Sequence, residues 1–398
     1  MKILSKKKFI VIFLKNKLIS LDSVIPLVLE INRCCNYNFY FVIWEYETYQ
    51  SVINDNIVLR DMALSVGKIV CPSRPDRNIF SNKINKILLL TDILLKFYSR
   101  KSYMLHFGAL NVRPLSFFVK IIKKHRIALC ESSSIFSSSI NNSSKVDTIL
   151  QSRSSKKIFN KYIKNRYPVN SSGILIGFNL DWNWFKHPDA DYCKKLIFSD
   201  VLYSKAYLEF IEKNSNFYLN QENLLDLDKN KTIVVILGHY GWGSPKNQSI
   251  RNNLLYEVLL VLRDLEMNII IKPHIFCDMR IVSSLVERAE CVDSKIYYTK
   301  VYPNILQKVS IAGLFVNSSA VRCHYKFTGF PVIQYNGNVE GSGVIFDDCS
   351  DVICSDKNQL MNHLESLMEN YGTNTTIKKE VKSGCNSIKN IVDCSTAL

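Results

Sequence analysis

The chain has 398 residues, 47% of them hydrophobic, and a formal net charge of +16. That length exceeds one ordinary core, so two domains are expected, and the apolar content suffices to fill both. The charge is uneven, with 34 Lys+Arg against 19 Asp+Glu in residues 1–230 and 17 against 16 in residues 231–398, so the basic half is expected to meet an anionic partner such as phospholipid headgroups, acidic polysaccharide or nucleic acid.

The opening "MKILSKKKFIVIFLKNK" puts a basic run before a short apolar one. Its apolar part, "FIVIFL", is only a strand long and is followed by Lys15 and Lys17, so it reads as a buried strand (8–14) and not as a secretion signal. Asp22 precedes "SVIPLVLEINRC", a helix start with Pro26 in its first turn. Then come strands at 37–44 and 67–71, a helix at 84–98, a strand at 102–108, a helix at 114–125 and a strand at 126–131. Strands alternating with helices imply parallel βαβ units. No apolar run reaches the roughly 20 residues of a membrane-spanning helix.

From 131 the texture changes. "ESSSIFSSSINNSSK", about 131–145, cannot build a core and reads as a mobile loop. "RSSKKIFNKYIKNR" adds positive charge, and "SGILIGFNLDWNWFKHPDADYCKKLIFSD" reads as a strand, an aromatic-rich loop with Trp182 and Trp184, and a helix. Residues 210–231 are polar, which places a domain boundary near 229. The expected domains are 1–229 and 230–372, with a polar tail at 373–398.

The second half repeats the alternation: strands at 232–238, 267–274, 295–300, 311–319 and 330–335. Helices are expected at 249–266, 278–290, 302–310, 320–329 (closed by Gly329) and 357–372. No Gly-x-Gly-x-x-Gly opens a helix after a first strand and no Walker A sequence occurs, which argues against dehydrogenases and P-loop enzymes. The twelve cysteines contain no Cys-x-x-Cys pair, so neither a zinc ribbon nor a disulfide framework is expected, and many free thiols suit a reducing cytoplasm.

Ligands of open parallel sheets bind at the carboxyl ends of the strands. Three loops stand there in the second half. The first is "GHYGWGS", with Gly238, His239, Tyr240 and Gly241, where glycines let the backbone approach a phosphate. The second carries Lys272, Pro273 and His274. The third, Asn317, Ser318 and Ser319, directly precedes a helix, whose N-terminal amides and dipole favour an anion. Cation, imidazole and helix terminus on one edge describe a nucleotide-phosphate site.

"IIIKPHI", "FVNSSAV" and "TGFPVIQY", in that order, resemble the His-Pro and Ser-Ser motifs of bacterial sialyltransferases, polysialyltransferases and Kdo transferases. They are more distantly similar to CDP-glycerol glycerophosphotransferases. The resemblance covers roughly 231–340 and departs at Ile275, where the His-Pro pattern has proline. It implies an α/β GT-B fold, two doubly wound Rossmann-like domains facing a central cleft, with His274, Ser318 and Ser319 on the nucleotide phosphate. It implies a CMP-sugar donor and neither metal nor other cofactor. "DAD" at 189–191 reads as a solvated turn.

Sugar transfer with inversion needs a base for the acceptor hydroxyl. Glu131, His106 and Asp181 each stand at an expected strand end of the first domain, with Glu131 favoured for its place beside the Ser-rich loop. The expected acceptor is a saccharide or lipid-linked saccharide of surface-polysaccharide synthesis. "SKKKF", "KIIKKHR" and "RSSKKIFNKYIKNR" would bring the chain to the inner face of an anionic membrane. The alternatives are a CDP-polyol phosphotransferase, a non-catalytic scaffold, and a nucleic-acid-binding protein, the last without a recognisable motif.

Overall fold

A computed structural model describes residues 9–14, 19–34, 37–100, 103–107, 126–129, 174–177, 195–198, 204–238, 245–274, 277–291, 295–316, 321, 325, 328–337 and 350–370. The described residues divide between Phe210 and Ile211 into two compact units, each built on one parallel sheet.

The first sheet has strands β1 (Phe9–Leu14), β2 (Asn38–Ile43), β3 (Gly67–Val70), β4 (Tyr103–Phe107), β5 (Arg126–Leu129), β6 (Ile174–Gly177) and β7 (Lys195–Phe198). Their order is β3-β2-β1-β4-β5-β6-β7. "FIVIFL" shows no alternation because β1 lies between β2 and β4 and is buried along its whole length. The order reverses between β1 and β4, the switch point of a doubly wound sheet.

The helix Ile19–Cys34 begins before Asp22, so Pro26 lies inside it and not in its first turn. The proline ring removes one helical hydrogen bond there. Its carbonyl accepts from the Ser204 hydroxyl at 2.7 Å, and one turn on the buried Glu30 accepts from the Ala206 N–H at 3.1 Å. The Arg33 guanidinium balances Glu30, with Nε at 3.0 Å. A buried carboxylate persists only with such partners, and these seat the start of helix Lys205–Gln221 on helix Ile19–Cys34.

Three stretches differ from the sequence reading. The segment left unassigned between β2 and β3 forms helices Tyr46–Asp55 and Ile57–Val66, parted at Asn56. The polar stretch from 210 is helical as far as Gln221, because Tyr207, Ile211, Tyr218 and Leu219 give it one buried side. "KLIF" is β7 where a helix was expected; a four-residue apolar run carries no period by which to separate the two. The expected helix at 114–125, the Ser-rich loop and the polar tail lie outside the described residues.

The second sheet has β8 (Thr232–Ile236), β9 (Asn268–Lys272), β10 (Ile296–Tyr298), β11 (Gly313–Phe315), β12 (Val332–Tyr335) and β13 (Val352–Cys354), the last unforeseen. Their order is β10-β9-β8-β11-β12-β13, again all parallel, with the switch point between β8 and β11. Leu254, Leu255, Val258, Leu259 and Leu262 of helix Pro245–Asp264 share one core with Ile233, Val235, Ile269 and Ile271. Helix Lys357–Glu369 closes that core through Leu360 and Leu364.

Candidate functional site

The strands that carry the three expected phosphate-binding groups are β9, β8 and β11, which are consecutive neighbours. Because all run parallel, their exits share one edge, at the switch point. Hydrogen bonds continue past the strand ends there. The Leu237 N–H donates to the Lys272 carbonyl at 3.0 Å, so the buried Gly238 leaves β8 beside the point where Lys272 ends β9. Farther along, the Thr299 N–H donates to the Ile271 carbonyl at 3.1 Å and ties in the exit of β10.

Lys272, Pro273 and His274 are half-buried, as expected at a strand exit. The His274 carbonyl accepts from the Cys277 N–H at 2.9 Å, and Asp278 then caps helix Met279–Arg288 by accepting from the Arg280 N–H at 3.1 Å. The Arg280 guanidinium turns back to the same carboxylate, with Nη2 at 2.8 Å. Its hydrogen bonds hold Asp278 below the usual carboxylate range. Asp278 therefore stays ionised and matched by Arg280, while Lys272 and His274 give the edge a cation and an imidazole.

At the exit of β11, Val316 is buried and Val321, Tyr325 and Thr328 are helical. Asn317, Ser318 and Ser319 lie between, outside the described residues, as do His239, Tyr240 and Gly241. What seats this helix is visible. The Tyr325 ring packs edge-on against Phe315 and Phe330, its hydroxyl donates to the Pro303 carbonyl at 2.8 Å, and a Cβ on Gly313 would stand 2.5 Å from the ring. The helix ends as expected at Gly329, whose φ of 74° allows the Phe330 N–H to reach the Tyr325 carbonyl at 2.9 Å.

Of the three base candidates, His106 is the one among the described residues. It is the last but one residue of β4, paired with Phe13 of β1 and Ala128 of β5, hence at the carboxyl edge of the first sheet. Glu131 and Asp181 lie outside the described residues, with β5 ending at Leu129. One pair at the second edge was not foreseen. Tyr335 ends β12 and donates to Glu257 at 2.6 Å. Burial first, and then that carboxylate, raise its phenol well above the ordinary range. No local pattern signals it, since the partners are 78 residues apart. Among the described residues no group of three or more His, Cys, Asp and Glu side chains is placed to hold a metal ion.

No protein-family model matches the chain, and no curated protein matches it. Solved structures do. UDP-N-acetylglucosamine 2-epimerase from Rickettsia bellii is 13% identical, with a TM-score of 0.53 over 98% of this chain and 96% of that one. The Neisseria meningitidis UDP-GlcNAc 2-epimerase, solved with UDP-GlcNAc, gives 13% and 0.53 over 99% and 100%. Phytolacca americana UGT2, solved with UDP-2fluoro-glucose and pterostilbene, gives 9% and 0.50 over 98% and 100%. These likenesses, with the two doubly wound sheets, show the fold: the chain is an α/β protein of GT-B type with two Rossmann-like domains.

Proposed function

We propose that the protein is a glycosyltransferase that moves a sugar from a nucleotide-activated donor to a saccharide or lipid-linked acceptor in surface-polysaccharide assembly. The observation that carries the reading is the adjacency of β9, β8 and β11, which brings the exits carrying Gly238 and Lys272–His274 to the edge from which the chain continues into Asn317–Ser319. Lys272 supplies charge to a donor phosphate, His274 a hydrogen bond to the phosphate or the leaving group, and the serines further donors. The acceptor is bound by the basic first domain, and the base is sought among His106, Glu131 and Asp181. The protein works in the cytoplasm.

The donor we favour is a CMP-activated sugar, on the order of the Lys-Pro-His and Asn-Ser-Ser motifs. A UDP-sugar is the second reading, favoured by the UDP-sugars held by similar folds. A thermal-shift series with CMP, CDP, UMP, UDP and GDP separates them. A nucleotide at 100 times its dissociation constant stabilises a fold by about 2.7 kcal/mol. A shift with CMP alone supports the first reading, and a UDP shift the second. A stronger CDP shift moves the assignment to polyol-phosphate transfer, and no shift with any nucleotide defeats the proposal in favour of a scaffold.

A further inference from the structure

Among the described residues eleven large apolar side chains are exposed, and seven of them belong to one helix, Ile79–Arg100. Its 22 residues span about 33 Å. One side, with Leu89, Leu90, Ile93, Leu94 and Phe97, packs on the first sheet at Val11, Phe13, Val42 and Met104. The opposite side is apolar as well. Phe80, Ile84, Ile87, Leu88, Leu95 and Tyr98, with Thr91 among them, fall within an arc of about 100° at 3.6 residues per turn. Phe80 is 71% exposed, Leu95 62% and Tyr98 76%. A core-facing helix needs one apolar stripe, and this one has a second, unburied stripe along its length.

The charge beside the stripe indicates its occupant. Lys83 is exposed near its start, and Arg74 and Arg77 are exposed in the loop that leads into it, with Asp76 the carboxylate between them. Asp92, farther along the helix, is matched by Lys96 one turn on. Pairing with a second copy of the chain would cover the apolar side but offer these cations no counter-charge. An anionic lipid surface supplies both a hydrocarbon boundary and phosphates. The helix is not long and apolar enough to cross a membrane, so it would lie in the interface plane.

We propose that the outer face of helix Ile79–Arg100 docks on an anionic bilayer, with Phe80, Ile87, Leu95 and Tyr98 at the acyl boundary and Arg74, Arg77 and Lys83 among the headgroup phosphates. This deepens the proposed function by naming the surface where a lipid-linked acceptor is met. Its test reads lipid binding alone, so either proposal can fail without the other.

The full chain is sedimented with vesicles of phosphatidylcholine, alone or mixed with phosphatidylglycerol. Binding to the mixed vesicles should be stronger by about tenfold or more, because each nearby cation adds attraction to the anionic surface. Arg74→Glu with Arg77→Glu should remove that preference, and Ile87→Glu with Leu95→Glu should abolish binding to both. All four positions are exposed, so the melting temperature should not move. The proposal is overturned by absence of vesicle binding, by equal binding to both compositions, or by binding unchanged in the Ile87→Glu, Leu95→Glu variant. A wild-type dimer by light scattering that this variant dissociates would make a second copy the occupant and overturn it too.

Discussion

The Glu222 carboxylate accepts hydrogen bonds from the Thr299 hydroxyl and from the Lys300 N–H, the latter at 3.3 Å. Thr299 is buried, and its hydroxyl also accepts from the Val301 N–H at 3.0 Å. Glu222 directly follows helix Lys205–Gln221, so it ties that helix to the exit of β10, and through the Thr299–Ile271 bond to the residue before Lys272. Hydrogen bonds to a charged group contribute about 1.5–3 kcal/mol. Glu222→Ala should lower stability by about that much, and Glu222→Gln, which keeps an acceptor, by less. Thr299→Val combined with Glu222→Ala should cost less than the two apart. Urea unfolding measures all of these, and a loss below about 0.5 kcal/mol for Glu222→Ala would mean the tether is idle.

Gly313 and Tyr325 form a lock of a different kind. A Cβ at 313 would press the ring of a fully buried tyrosine held between Phe315 and Phe330. Overpacking of this sort costs about 1–3 kcal/mol. Gly313→Ala should lose that much stability, and the loss should shrink in a Tyr325→Ala background, where the ring is gone. Strict additivity in that double-mutant cycle would show that the ring does not meet position 313.

The two doubly wound sheets were legible because parallel strands buried on both faces advertise themselves as unbroken apolar runs. "FIVIFL", "TIVVI" and "NIII" each lie in central strands. The edge was legible too, since parallel strands must release their chemistry on one side, and Gly238, Lys272 and His274 stand there. The rest depends on distance in the chain. Glu257 and Tyr335, or Glu222 and Thr299, meet across 77 or 78 residues, and neither partner is unusual in its own window. Helix Ile79–Arg100 shows a further limit. "INKILLLTDILLKFY" declares a helix, but its apolar residues exceed one stripe, and sequence alone does not tell which stripe meets the sheet.

Burial raises the phenols of Tyr325 and Tyr335 far above their ordinary value, with the Glu257 hydrogen bond adding to the second. In the unfolded chain both ionise near pH 10. The folded state therefore holds its protons longer than the unfolded state. The contribution is fully present below about pH 10 and is lost as pH rises above it. Stability measured by urea unfolding should fall between about pH 10 and pH 11 with a slope that includes one proton from each tyrosine. Tyr335→Phe should reduce the slope by one proton while lowering stability at neutral pH by the lost hydrogen bond. An unchanged slope would mean that this phenol ionises in the folded protein as readily as in water.

Lys272 and His274 leave β9 together but are expected to fail differently when replaced. Lys272 contributes charge to a bound phosphate, and a charge-assisted hydrogen bond of about 1.5–3 kcal/mol corresponds to a tenfold to hundredfold weakening of nucleotide binding in Lys272→Ala. Lys272→Arg keeps the charge but not the point geometry, and should fall between. If His274 assists the leaving group, His274→Ala should cut turnover by about 10²–10⁴ while nucleotide affinity changes little. If it holds the phosphate instead, affinity and turnover should fall together. Wild-type affinity and turnover in both would remove the β9 exit from donor binding and leave that task to the loops after β8 and β11.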